Sequence, residues 1–282
     1  MKNALTIDVE EFFQVHALSN VVKVQDWDRY ASDIESNTSI ILELLNKKNT
    51  KATFFCLGWI AQRHKSLIRR ISESGHEVAS HGYSHQVIYS QTPEDFKDDV
   101  LKSKKIIEDI IGRPVLGYRA PTYSITEKTL WALDILEELG FIYDSSIFPV
   151  HHDNYGIPSA PRFPYLIEGR NLAEFPISTV RIGKLNFPIA GGGYFRLFPY
   201  VITRLGLKAI EREGKFFIFY LHPWEFNPDT PRIAGLSALS RFRTYVNLSK
   251  TQSRFEQLLT DFGFASASDV LEEAGLYCRT SE

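Results

Sequence analysis

The chain has 282 residues, 44% of them hydrophobic, with 32 Lys and Arg against 34 Asp and Glu for a formal net charge of -2. That length suits one large α/β domain or two small ones, and the apolar share is ample for a buried core. The balanced charge argues against a nucleic-acid binder, which carries a basic excess, and no apolar run approaches the ~20 residues of an integral membrane segment. Of the two cysteines, Cys56 lies inside the apolar run 52–57 and reads as a small buried hydrophobe. No disulfide framework is expected, which suits a reducing compartment. Charges arrive at Asp8, Glu10 and Glu11 without a preceding signal-peptide apolar region, so the expected localisation is cytoplasmic.

In chain order, residues 3–8 form a short apolar strand with acids at its end. Residues 33–48 carry Ile34, Ile40, Ile41, Leu44 and Leu45 at helical spacing. Residues 51–57 are β-branched and aromatic, as in a buried strand. Residues 59–74 repeat the helical period as one helix, with Gly75 as its C-cap. A strand over 77–80 follows, then a helix opened by Thr92 and Pro93. Residues 116–119 are a strand, 126–139 a helix, and 141–143 begin the next strand. The alternation implies parallel strands with crossover helices. Residues 151–193 break the rhythm and read as an insertion of loops and short antiparallel strands that includes Ala173 and Glu174. Helix returns over 199–213. Residues 215–221 are the most β-like run in the chain, and 247–262 are expected to be the last helix. Without a repeat or linker, 1–282 is read as one domain.

Asp8, His81, Arg119 and His222 each stand where a predicted strand ends. In a parallel barrel those ends meet at one face, where active sites form. His81 and His85 are four apart, which in one helical turn puts both imidazoles on the same side. In an extended chain Asp8 and Glu10 point the same way, with Glu11 opposed. A carboxylate beside two imidazoles completes a three-ligand site with open positions, the pattern of a catalytic Zn²⁺-type centre. A second carboxylate can take the proton of a water, an opposed histidine can protonate a leaving nitrogen, and an arginine can hold the base ionised. Each residue alone has an ordinary reading as a surface charge or a core histidine. Jointly those readings require four coincidences at one face.

The segments 6–10 (Thr-Ile-Asp-Val-Glu), 81–85 (His-Gly-Tyr-Ser-His), 119–121 (Arg-Ala-Pro), 144–146 (Asp-Ser-Ser) and 221–223 (Leu-His-Pro) resemble, in order, the motifs of the NodB-homology polysaccharide deacetylases. The resemblance spans about residues 4–223. It implies an α/β fold, a distorted (β/α) barrel of about seven parallel strands with the inserted loop and short-strand region. The implied activity is removal of acetyl groups from an acetylated glycan or sugar precursor, with one divalent metal ion, usually zinc. Segments 8–15, 191–196 and 222–225 resemble the subgroup from exopolysaccharide loci associated with exosortase systems, and 242–264 its C-terminal extension. By the same resemblance Asp8 is the base, His81 and His85 are metal ligands, Arg119 holds the base and His222 is the general acid. The family places the metal carboxylate directly after the base. Val9 stands there, so strand geometry gives that role to Glu10. The family also has an aromatic directly after Arg-x-Pro, where this chain has Thr122 and then Tyr123. The backbone N–H of Thr122 is then the oxyanion donor, which requires no particular side chain. Tyr123, Tyr194, Phe195 and Trp224 are candidate sugar platforms. Two other readings use the same features: an amidohydrolase acting on a small cyclic amide in the same barrel, and a catalytically silent glycan-binding module.

Overall fold

Period-two alternation along short parallel strands decides which side chains enter the barrel and which meet the helices. The computed structural model describes residues 2–152 and 155–277. Cys278, the second cysteine, lies outside the described residues. The first part of the chain runs β1 (Asn3–Val9), α1 (Ile34–Lys47), β2 (Thr53–Cys56), α2 (Gly58–Arg63), α3 (Lys65–Glu73), β3 (Glu77–Ser80), α4 (Pro93–Ile111), β4 (Gly117–Tyr118), α5 (Trp131–Glu138) and β5 (Tyr143–Asp144). It continues with β6 (Tyr165–Leu166), β7 (Ala173–Glu174), β8 (Thr179–Ile182), β9 (Leu185–Pro188), α6 (Gly192–Leu197), α7 (Tyr200–Arg212) and β10 (Ile218–Leu221). The last elements are α8 (Ala238–Tyr245), α9 (Thr251–Asp261), β11 (Phe264–Ala265) and α10 (Ala267–Glu273).

The main sheet runs β10-β1-β2-β3-β4-β5-β7-β6, parallel throughout except for β6. β11 adds a parallel pairing at Asn3 and Ala4 of β1. Seven strands of this path are parallel and β11 makes an eighth, against an expectation of about seven. The path ends at β10 and β6, which do not pair with each other among the described residues, so the sheet curls into a half-barrel. Leu5, Ile7 and Val9 of β1 face outward into the helix-covered core, with Phe54 of β2 and Phe219 and Leu221 of β10. The alternate positions Ala4, Phe55, Ala79, Ile218 and Tyr220 form a second, interior cluster. Local signals behave as their chemistry requires. Thr92 Oγ1 accepts from Asp95 N at 3.1 Å, Pro93 opens α4, and Gly112 closes it at φ 68.

The structure departs from the sequence reading at four places. The single helix expected over 59–74 is two, because His64 adopts φ -119, ψ 53 between α2 and α3. The helix expected from 126 starts at Trp131, since Thr129 Oγ1 takes up local backbone groups ahead of it. Ala173 and Glu174 do pair antiparallel with β6 inside the inserted stretch, as expected, but they are more than an insertion strand. As β7 they pair parallel with β5 and extend the main sheet, an assignment that only the three-dimensional register reveals in so short a strand. Residues 247–262 do not hold the last helix, for β11 pairs with β1 and α10 packs against it.

Gly117 of β4 is one position where the fold tolerates no side chain. A Cβ there would lie 2.0 Å from Cζ of the fully buried Tyr143. Gly117→Ala is expected to destabilise the protein by about 1–3 kcal/mol through overpacking, read as a lower urea midpoint. An unchanged midpoint would mean that the β4–β5 contact is looser than described.

Candidate active site

The inward parity that brings Ala4 of β1, Ala79 of β3 and Ile218 and Tyr220 of β10 into the interior cluster carries on to Asp8, His81 and His222. Arg119, two residues beyond the inward Gly117, follows the same rule and lies over the Phe55 ring at 4.1 Å. The four predicted strand-end residues therefore converge. Arg119 is fully buried. Its Nη1 donates to Asp8 Oδ1 at 2.6 Å and to Thr6 Oγ1 at 2.8 Å, while Nε and Nη2 donate to Ser145 O at 3.1 Å and Ser145 Oγ at 2.9 Å. Burial alone would lower the Arg119 pKa, but Asp8 opposes it and the net direction is upward. The segment 144–146 supports this residue and its neighbour. Ser146 Oγ donates to Asp144 at 2.5 Å and accepts from Ala120 N at 2.7 Å.

Glu10 reaches the site by a route the sequence did not suggest. β1 ends at Val9, and Glu10 N donates to Asp8 O at 3.0 Å in a tight turn, so strand continuation is not the reason its side chain faces inward. Glu11 points away, as expected, and accepts from Ile34 N at 3.1 Å at the start of α1. Residues 81–85 do not form a helical turn either. They are an irregular loop with Gly82 at φ 73 and His85 at φ 53. Asp99 of α4 supplies what a helix would have satisfied, accepting from Tyr83 N at 2.7 Å and Ser84 N at 3.1 Å. The outcome still brings the two imidazoles together, with ring centroids 5.2 Å apart.

Glu10, His81 and His85 are buried, and one donor atom from each lies within 4.8 Å of the others. His81 Nδ1 lies 2.8 Å from Arg119 O, which can only accept, so the proton sits on Nδ1 and the Nε2 lone pair faces Glu10. Burial, then the neighbouring His85, lowers the His81 pKa to about 3 and keeps the ring neutral. Glu10 Oε2 is 2.5 Å from His85 Nε2, yet it receives no hydrogen bond. Burial would raise the Glu10 pKa, but His85, His222 and His81 outweigh it and the net direction is downward. An orphaned buried carboxylate oxygen beside two imidazole nitrogens suits a divalent ion, and three protein donors leave positions open, as in catalytic centres.

His222 faces these groups from β10, its Nε2 3.6 Å from Glu10 Oε1 and 4.0 Å from Asp8 Oδ2. Behind it, Glu225 Oε2 lies 3.3 Å from His222 Nδ1 and accepts from His222 N at 3.0 Å. Arg196 Nε donates to Glu225 Oε1 at 2.7 Å. Burial would lower the His222 pKa, but Glu225, Glu10 and Asp8 raise it to about 9. Glu225 is itself held down at about 2, since Arg196 and His222 overcome the cost of burial. Neither Glu225 nor Arg196 was assigned a role from sequence. An acid three residues past a strand-end histidine was the available signal.

These residues line a cavity of about 330 Å³, with Thr122, Tyr123 and Trp224 in its walls. His16, Tyr155 and Arg243 also line it, and the sequence reading had no role for them. Among the described residues, five non-glycine residues have positive φ: Asn49, His85, Thr122, Tyr123 and Asn247. Asparagine and, less often, histidine tolerate that region, whereas β-branched Thr122 and bulky Tyr123 do not; His85, Thr122 and Tyr123 all line the cavity. Of the expected sugar platforms, Trp224 stacks on His222 with centroids 5.6 Å apart. Phe195 is corrected. It has no exposed surface and packs edge-on against Phe219 of β10, because its turn of α6 faces the core. Tyr194 is not among the lining residues and backs Tyr155 instead.

Residues 26–143 match the polysaccharide deacetylase family model, and residues 145–272 match a domain of unknown function, DUF3473. A peptidoglycan deacetylase of Helicobacter pylori is 34% identical over 113 residues, which cover 40% of this chain and 37% of that protein. The first curated relatives are thus matched over 36% to 39% of their own length. Among solved structures, one from Mycobacterium smegmatis, described as a candidate polysaccharide deacetylase, superposes with a TM-score of 0.62 at 20% identity and covers 99% of this chain and 92% of that one. The Puue allantoinase structure gives 0.60 at 17% identity, covering 98% and 91%. At these identities the superpositions establish the half-barrel fold.

Purified protein is expected to contain one divalent metal per chain. His81→Ala and His85→Ala should each remove it while leaving a folded protein, as read by elemental analysis and circular dichroism. Full occupancy in both variants would exclude this centre.

Proposed function

Since residues 26–143 match the polysaccharide deacetylase family model, we propose that the chain is a metal-dependent hydrolase that removes acetyl groups, N-linked or O-linked, from a bacterial polysaccharide or its sugar precursor. The observation that carries this reading is the convergence of an arginine-paired carboxylate, a carboxylate–imidazole triad and a cationic histidine in one cavity. The segments 191–196 and 222–225 support the finer reading of an exopolysaccharide substrate. The complete set of reactive groups speaks against a silent binding module.

Glu10, His81 and His85 would hold the divalent ion, zinc by its donor set, which supplies acidification of a water and polarisation of the acetyl carbonyl. Asp8 Oδ1 is engaged by Arg119, which leaves Oδ2 to take a proton from the attacking water. The water oxygen bonds to the acetyl carbon, the backbone N–H of Thr122 faces the developing oxyanion, and the C–N bond breaks. His222, protonated at neutral pH, gives its Nε2 proton to the departing nitrogen, so acetate and a free amine result. Glu225 steadies the imidazolium from the far side. Tyr123 and Trp224 supply apolar wall for the sugar ring.

Asp8→Asn should keep its metal and lower kcat by about 10²–10⁴-fold, measured as acetate release with metal content determined in parallel. Near-normal turnover in the metal-loaded variant would remove Asp8 as the base. The raised His222 pKa sets the basic limb. The acid form is lost as pH rises through about 9, so activity should fall there. Glu225→Gln removes the negative charge that raises this pKa, so its basic limb should move to lower pH. A limb that stays in place would detach Glu225 from the acid step.

A further inference from the structure

Residues 175–210 contain no Asp or Glu but five cations, Arg181, Lys184, Arg196, Arg204 and Lys208, in a chain that is acidic overall. This stretch builds the β8–β9 hairpin, α6 and α7 up to Ile210, after which Glu211 is the first acid. The hairpin stands apart from the main sheet as a two-stranded ladder. Its register opposes Ile182 to Leu185 and Val180 to Phe187, so these four share one face. Val180 packs against the core at the hairpin base. The other three protrude, with Ile182 at the tip 60% exposed and Leu185 58%. A solvated turn carries polar residues; this one places two large aliphatics around Gly183.

The exposed surface continues onto α7. Gly206 of that helix lies against Ile189, just past β9, where a Cβ would come within 2.7 Å of Ile189 Cγ1. β8 and α7 are thus neighbours. Thr203, Leu207 and Ile210 are the buried stripe of the helix. Ile202 is one turn before Gly206 on the hairpin side, and Val201 and Leu205 lie beyond it, 53% and 56% exposed. Six large apolar residues on two adjoining elements thus stay in water. Around them, Arg204 pairs with Asp261 and Lys208 with Glu211, whereas Arg181 and Lys184 at the tip have no acidic partner among the described residues.

We propose that the β8–β9 hairpin and the exposed face of α7 dock this protein on an anionic lipid surface, with Ile182, Leu185 and Phe187 entering the interface and Arg181 and Lys184 meeting lipid phosphates. Apolar residues flanked by basic ones, with acids absent as in the β8–β9 hairpin, are the composition of interfacial membrane segments. A second copy of the chain fits this face poorly, since a two-fold contact between tips sets Arg181 and Lys184 against their own copies. The proposal is independent of the deacetylase reading and gives the inserted region a role of its own.

The test is co-sedimentation of the full chain with vesicles of phosphatidylcholine alone and of equal parts phosphatidylcholine and phosphatidylglycerol. Binding is expected to the anionic vesicles only and to weaken with salt. Arg181→Gln and Lys184→Gln should each cost about fivefold in partitioning. The Ile182→Asn, Leu185→Asn double variant should cost more than about tenfold, with metal content and thermal midpoint unchanged in every variant. Failure to bind either vesicle, equal binding to both, or binding indifferent to the hairpin changes would overturn the proposal. Self-association abolished by the double variant, in a protein that ignores vesicles, would assign the face to a second copy instead.

Discussion

A guanidinium with no access to water is the constraint that the site is built around. Arg119 satisfies Asp8, Thr6 and both oxygens of Ser145. Thr6 Oγ1 passes the chain of bonds to Phe219 O on β10, and Ser145 Oγ passes it to Phe175 O beyond β7. One side chain therefore couples β10, β1, β4, β5 and the end of β7. Desolvating two charges is expensive, and removing either partner of such a pair costs about 3–5 kcal/mol. That expense is hard to reconcile with a purely structural role, because a well-packed apolar pair would do as well. What the ion pair provides is a carboxylate held in one orientation, with its second oxygen directed into the cavity.

The two halves of the chain divide the chemistry between them. Asp8 and Glu10 come from β1 and the turn after it, the paired histidines from the loop after β3, and Arg119 from the position just after β4. The acid side belongs to residues 145–272, the region matching a domain of unknown function. His222 and Glu225 follow β10, and Arg196 lies on α6. Arg196 also donates to Thr244 O and Val246 O at 3.0 Å, which ties the end of α8 to the same cluster. The elements after β10 are therefore part of the site's frame: β11 pairs with β1, α10 packs into the interior cluster beneath it, and α8 forms part of the cavity wall.

Much of this was legible because parallel strands announce themselves. Their hydrophobic runs are short and separated by capped helices, and polar residues at their ends stand out, as Asp8, Arg119 and His222 do. What escaped was whatever depends on partners distant in sequence. The loop 81–85 reads as a helical turn by spacing alone, but Asp99, on α4, captures its backbone instead. β7 has two residues, and nothing in Ala173–Glu174 says that they pair with β5 as well as with β6 of the insertion. Phe195 reads equally as a platform or as core, and only the direction of α6 decides it. Glu225 was visible as a residue but not as a partner, since its worth depends on Arg196 closing over it from another element.

The central claim is that Arg119 serves the reaction through Asp8 and not by a separate route. A double-mutant cycle in kcat tests this most directly, using Asp8→Asn, Arg119→Lys and the two combined, each assayed with full metal content. If the claim holds, Arg119→Lys lowers turnover in the parent protein and adds little once Asp8 is already Asn, as residues acting as one unit do. Fully additive losses would contradict it and would give Arg119 a role of its own.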